Sequence, residues 1–191
     1  MLTAALDPAR YGWWLTSRAA AIAALVLMAA SVTIGLLMAT KILGRPRLTK
    51  LLAGLHEHLA IASLVAIAVH GLALLGDQWL RPSPGDLLVP FAIGYRPVWT
   101  GLGIIGGYVT AVLSLSFYAR RRFGSARWRA LHRFTIVGYA LCVVHALGAG
   151  TDSGSRWFQV LALGPLVPIG VLLAVRLTGG RRPVRRPAPS T

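Results

Sequence analysis

Residues 51–76 read LLAGLHEHLAIASLVAIAVHGLALLG, an apolar run in which the only formal charge is Glu57 and histidines stand at 56, 58 and 70. About 20 apolar residues in one helix suffice to cross a hydrocarbon core. The run therefore reads as a transmembrane helix whose histidines sit where polar groups are costly. Four further blocks of the same kind flank it, at Arg18 to Thr40, Val98 to Ala119, Trp128 to Gly148 and Trp157 to Leu177, and the spacing predicts span two over Leu51 to Gly76. The expected fold is an all-α integral membrane bundle of about five transmembrane helices.

Composition agrees with this reading. Of 191 residues, 55% are hydrophobic and 13% charged, where a soluble domain carries about 25% charged. The net charge of +15 would suggest a nucleic-acid partner in a soluble chain. Here the basic residues lie between and beyond the apolar blocks, so membrane topology accounts for them. The partner expected from charge is the lipid membrane, with no nucleic acid.

The loops set the orientation. Lys41, Arg45, Arg47 and Lys50 follow span one with no acid among them. Arg120, Arg121, Arg122, Arg127 and Arg129 lie around the third connection, and Arg181, Arg182, Arg185 and Arg186 follow span five. The second loop (Asp77, Arg81, Asp86, Arg96) and the fourth (Asp152, Arg156) are balanced. By the positive-inside rule the N-terminus is outside and the C-terminus cytoplasmic. The expected organisation is an outer segment over residues 1–17, a membrane domain over 18–177 and a basic, disordered cytoplasmic tail over 178–191. The first span is too long for a signal-peptide core and reads as a retained helix.

Trp13, Trp14, Trp79, Trp99 and Trp157 fall near outer ends and Trp128 near an inner one, the belt expected of amphipathic rings. The long second loop, with its apolar stretch Leu87 to Phe91, is expected to cap the outer face. Pro165 and Pro168 should kink span five. Cys142, the single cysteine, reads as a small buried hydrophobe.

All five histidines lie on spans two and four. His56 and His70 are 14 residues apart, roughly 21 Å and nearly four turns along a helix, so both leave one face. His132 and His145 are 13 apart, roughly 20 Å. Spans two and four run parallel, which puts His56 level with His132 near the cytoplasmic side and His70 level with His145 near the outer side. Facing imidazoles at two depths suit axial ligation of two stacked haems. Thirteen residues are only about 3.6 turns, so a π-bulge, a bend near Gly138 or a change in haem orientation has to absorb the mismatch. His58 points about 200° away from His56 and reads as an interfacial histidine. His56-Glu57-His58 lacks the i, i+4 histidine of a zinc-protease helix, since position 60 is alanine.

The two segments GLHEHLAIASLVAIAVHGL (54–72) and WRALHRFTIVGYALCVVHALG (128–148) resemble the ferric-reductase-like transmembrane domain family. That group includes the membrane parts of ferric reductases and NADPH oxidases and the haem-binding subunit of the bacterial periplasmic methionine sulfoxide reductase system. The similarity runs from about Trp13 to Leu177 and is nearest to short bacterial members made of the membrane domain alone. It implies two b-type haems, each bis-histidine, held by His56 with His132 and by His70 with His145. It also implies transmembrane electron transfer in a bacterial plasma (inner) membrane.

No stretch after Leu177 suits a flavin or nicotinamide. Gly101, Gly103 and Gly106 form a Gly-x-Gly-x-x-Gly without the strand that a dinucleotide site needs. With Gly107 they read instead as close helix packing. The chain is therefore expected to be an electron-transfer component fed by a flavoprotein or quinol and discharging to an outer-face acceptor. A quinol-fed haem subunit of a periplasmic reductase is an alternative within that class. A haem-free small transporter or assembly protein is the alternative outside it. Lys50 and Arg133 on the inside, and Arg81 and Arg96 on the outside, are candidate partners for haem propionates, with Arg133 favoured because it follows His132. The arginine runs are expected to contact anionic lipid and to offer a docking face for an acidic donor.

Overall fold

A computed structural model describes residues 8–179, and those residues are all-helical, with no strand among them. The elements are α1 (Pro8–Thr40), α2 (Pro46–Leu74), α3 (Pro84–Leu88), α4 (Pro97–Phe123), α5 (Ser125–His132), α6 (Thr135–Ala149), α7 (Arg156–Leu163) and α8 (Leu166–Gly179). Proline opens each of the first four helices, where its fixed φ suits the first turn and its missing N–H costs nothing. Five segments are long and apolar enough to cross a membrane: Tyr11–Thr40, Pro46–Leu74, Pro97–Arg122, Ser125–Ala149 and Arg156–Thr178. The chain is a multi-pass membrane protein by this measure.

Two boundaries differ from the sequence expectation. The first helix begins at Pro8, ten residues before Arg18, so most of the segment expected outside the span is helical. Of the expected tail, residues 180–191 lie outside the described residues, and Thr178 and Gly179 continue α8.

The fourth span is broken after His132. Phe134 N–H bonds to Leu131 O (2.9 Å) and Val137 N–H to Phe134 O (2.9 Å), the i→i+3 pattern of a tightened turn. The hydroxyl of Thr135 donates to the His132 carbonyl at 2.8 Å and satisfies it at the break. Gly138 is not the hinge. It is the point where α6 meets α4, and a Cβ there would press on Thr110 Oγ1 (2.6 Å).

The fifth span is also broken, at Gly164–Pro165, as its prolines lead one to expect. Between α4 and α5 the chain turns at Gly124, whose φ of +84° suits a residue without a Cβ.

The helices form two pairs. α1 packs along α2, and α4 packs along α6, with α8 also on α1. The buried core lies between α1, α6, α7 and α8 and contains Leu25, Met28, Leu36, Tyr139, Val143, Phe158, Ala162 and Ile169. By contrast α2 and α6, the two helices that carry most of the histidines, scarcely touch each other. A slot therefore runs between the pairs. Gly103 and Gly106 sit on the α4 face that meets α6, against His145 and against Leu141 and Cys142, so the glycine motif serves close helix approach.

One end of the bundle is closed by residues 77–96. Ile93 is buried there, Phe91 packs onto Gly101, and Tyr108 Oη donates to Leu88 O (2.5 Å). Tyr95 Oη donates to Ala149 O (3.2 Å) and ties the cap to the end of α6. Leu88 and Val89, from the stretch expected to pack down, stay exposed. Arg18 and Asp152 form a bidentate pair at 2.6 Å for each bond, which fastens α1 to the α6–α7 connection.

Candidate functional site

Four histidines project into the slot and meet in two pairs. The rings of His56 and His132 have centroids 6.0 Å apart and lie at 88°. Those of His70 and His145 are 6.2 Å apart at 64°. The broken fourth span is what lets His132 and His145 turn toward the same slot. A turn of about 3.0 residues rotates further per residue than one of about 3.6, and the break frees α5 to tilt away from the α6 axis.

Each ring is held from behind by a helix of its own pair. His56 Nδ1 lies 2.8 Å from Ser31 O, and His70 Nδ1 lies 3.0 Å from Ser17 O, both on α1. His145 Nδ1 is 2.9 Å from Trp99 O and His132 Nδ1 is 3.5 Å from Leu113 O, both on α4. A carbonyl oxygen only accepts, so Nδ1 carries the proton in each ring and Nε2 keeps its lone pair. No protein group among the described residues bonds any of the four Nε2 atoms.

The hydroxyls of Ser31 and Ser17 complete a bracket on α1. Their Oγ atoms lie 3.0 and 2.9 Å from the Nδ1 atoms of His56 and His70, and they donate to the backbone carbonyls of the same histidines at 3.3 and 3.0 Å.

The supports share one repeat. Ser17 and Ser31 are 14 residues apart on α1, as are His56 and His70 on α2 and Trp99 and Leu113 on α4. Since 14 residues are nearly four turns, each straight helix presents the same face at both levels. Glycine clears two of the approaches, one turn beyond the accepting carbonyl. A Cβ on Gly103 would overlap the His145 ring, and one on Gly35 would stand 3.1 Å from His56 Cε1. One turn beyond Leu113 the residue is Phe117, and there the hydrogen bond is the longest of the four. His132 has a different support: Trp128 stacks on it, with centroids 4.8 Å apart at 26°. Trp128 Nε1 is itself fixed by a bond to Ser116 Oγ (3.2 Å).

A cavity of about 510 Å³ surrounds the His56–His132 pair, walled by Met28, Val32, Leu36, Ile61 and Ile136 among others. Arg133 lines it, together with Arg129 and Arg176, which the sequence reading did not associate with this site. Lys50 is exposed and does not line it. At the other end Arg96 Nη1 donates to Gly148 O (2.6 Å) and Arg81 Nε to Gln78 O (2.8 Å). His58 is exposed and bonds Gly54 O of its own helix (2.7 Å), away from the slot.

Among the described residues no group of three or more His, Cys, Asp or Glu converges to hold a metal ion, so the histidines meet only in twos. The serines and the two glycines were missed from sequence, although the 14-residue interval of Ser17 and Ser31 repeats that of His56 and His70. Compared with known proteins, the chain matches no family model, no curated protein and no solved structure.

Proposed function

We propose that this protein carries electrons across a bacterial plasma membrane through two b-type haems, one between His56 and His132 and one between His70 and His145, in the manner of the ferric-reductase-like transmembrane domains. One observation carries the reading. Four imidazoles, each protonated and held at Nδ1, are arranged in two facing pairs with centroids 6.0 and 6.2 Å apart. With metal–nitrogen bonds of about 2 Å and a ring nitrogen about 1.1 Å from the centroid, two imidazoles that both held one metal ion would have centroids up to about 6.2 Å apart. His56 with His132 and His70 with His145 would hold the two groups, and the cavity at the first pair is walled largely by apolar side chains. The residues present therefore fit the group.

Bound there, haem iron supplies a one-electron ferric–ferrous couple. The chain's own part is orientation and exclusion. The carbonyls of Ser17, Ser31, Trp99 and Leu113 fix the tautomer and plane of each ring. A histidine from each helix pair at a site would compete with exogenous ligands for it. The basic connections at 41–50 and 120–129 favour a cytoplasmic position for the His56–His132 end. Electrons then enter at that end from a flavoprotein or quinol and leave to an acceptor at the outer face.

The test uses haem-loaded protein in sealed vesicles with ferricyanide trapped inside and dithionite added outside. Wild-type protein is expected to reduce the trapped ferricyanide well above the protein-free rate, and His70→Ala is expected to abolish the gain. A wild-type rate equal to that of empty vesicles would overturn the proposal.

A further inference from the structure

The slot around His56 and His132 has four sides, and three of them are packed shut. α1 lies along α2, α4 lies along α6, and the core of α1, α6, α7 and α8 fills the side between them. The fourth side is the seam between α2 and α4, which touch at few points. At mid-depth that seam is closed. Ser63 and Thr110 are buried there, and a Cβ on Gly107 would meet Ile67 Cγ2 at an ordinary 3.8 Å. Toward the level of His56 it loosens, where Ala60 and Ser114 line the cavity, are small and are partly exposed. One bond crosses the gap. Tyr118, 59% exposed, donates from Oη to Glu57 at 2.9 Å, the only side-chain hydrogen bond between α2 and α4 among the described residues.

Glu57 is the one carboxylate within the five spans, and an ionisable group at membrane depth needs a reason to be there. Its bond to Tyr118 gives one, because it fastens the loosest seam of the bundle. We propose that the α2–α4 seam is a lateral door through which a porphyrin enters the His56–His132 site from the membrane, with Tyr118–Glu57 as its latch, an inference that rests on the function proposed above. Each helix keeps its own backbone hydrogen bonds, so α2 and α4 can part in lipid without baring a peptide group. A flat rigid group passes edge-on where the facing side chains are small, and closing behind it takes one bond. The two ends of the slot are poorer entrances. Residues 77–96 cap one, and at the other Trp128 stacks over His132 and is fixed by Ser116.

The rate of haem uptake by the full-length haem-free protein in detergent, followed by absorbance, tests the door. Tyr118→Phe removes the latch donor and should speed the filling of one site about threefold to tenfold, the worth of one hydrogen bond, with the final haem content unchanged. Glu57→Gln keeps an acceptor for Tyr118 and should fill at close to the wild-type rate, which separates the latch from the charge. Joining positions 57 and 118 with a flexible bis-maleimide in Glu57→Cys/Tyr118→Cys should stop the filling of that site while the other still fills. If Tyr118→Phe accumulates poorly, the cysteine pair still compares one protein with itself before and after linkage. Equal rates in Tyr118→Phe and wild type, or a linked protein that fills both sites at the unlinked rate, would overturn the door alone. So would unmoved uptake in Tyr118→Phe together with slower reduction of its bound haem by a short-chain quinol, which would give the seam to a donor. Wild-type protein that takes up no haem would overturn the door together with the proposed function.

Discussion

The two histidine pairs are built from the same parts but sit in different surroundings. At the His70 and His145 end the slot is capped. The 77–96 segment folds over that end, Arg18 and Asp152 tie α1 to the α6–α7 connection, and the His145 bond to Trp99 O is 2.9 Å. Around His56 and His132 a cavity opens, three arginines line it, and the His132 bond to Leu113 O stretches to 3.5 Å. The difference has a local cause. α4 meets α6 closely where Gly103 removes a side chain beside His145, whereas Phe117 stands at the corresponding position one turn beyond the carbonyl that His132 on α5 bonds. A shared helical repeat can therefore produce one capped site and one accessible site. The accessible one lies at the end that the basic loops favour for the cytoplasm, where a donor would have to reach.

The largest expected break in this comparison comes from glycine. A Cβ at Gly103 would overlap the His145 ring, whereas one at Gly35 would only crowd His56 by a few tenths of an ångström. Gly103→Ala should cost about 1–3 kcal/mol by overpacking, and Gly35→Ala clearly less, as read by thermal unfolding of the two variants side by side. Equal losses would remove the claimed contrast between a tight and a loose end.

A smaller effect is expected at the serines. Ser17→Ala and Ser31→Ala each delete one hydroxyl but leave the backbone carbonyl that takes Nδ1. Each should cost about 0.5–1.5 kcal/mol, in similar measure, because the two brackets repeat each other. A marked inequality would show that the surroundings, and not the brackets, set the difference between the ends.

Much of this architecture was legible in the sequence because it depends on period and length. Apolar blocks of membrane-crossing length mark the five spans, and the 14-residue interval from His56 to His70 puts both on one face. What escaped the reading depends on backbone geometry that no side chain announces. The 13-residue interval from His132 to His145 signalled a departure from ideal helix but did not locate it. The break lies at Arg133–Phe134, where no proline or glycine marks it. The supports of the rings are mostly carbonyls, which every residue carries, so Trp99 and Leu113 could not be singled out by type. Arg176 sits in an apolar block and comes to line the His56–His132 cavity only through the packing of α8 on α1, a placement too remote in sequence to infer. Ser17 and Ser31 are the exception. Their interval repeats that of the histidines and was available to be noticed.

Haem content per chain, measured on the wild type and on the single variants His56→Ala and His70→Ala, bears most directly on the two-site arrangement. Two haems in the wild type and one in each variant are expected, with the remaining haem still low-spin. A wild type without haem, or variants that still hold two, would contradict it.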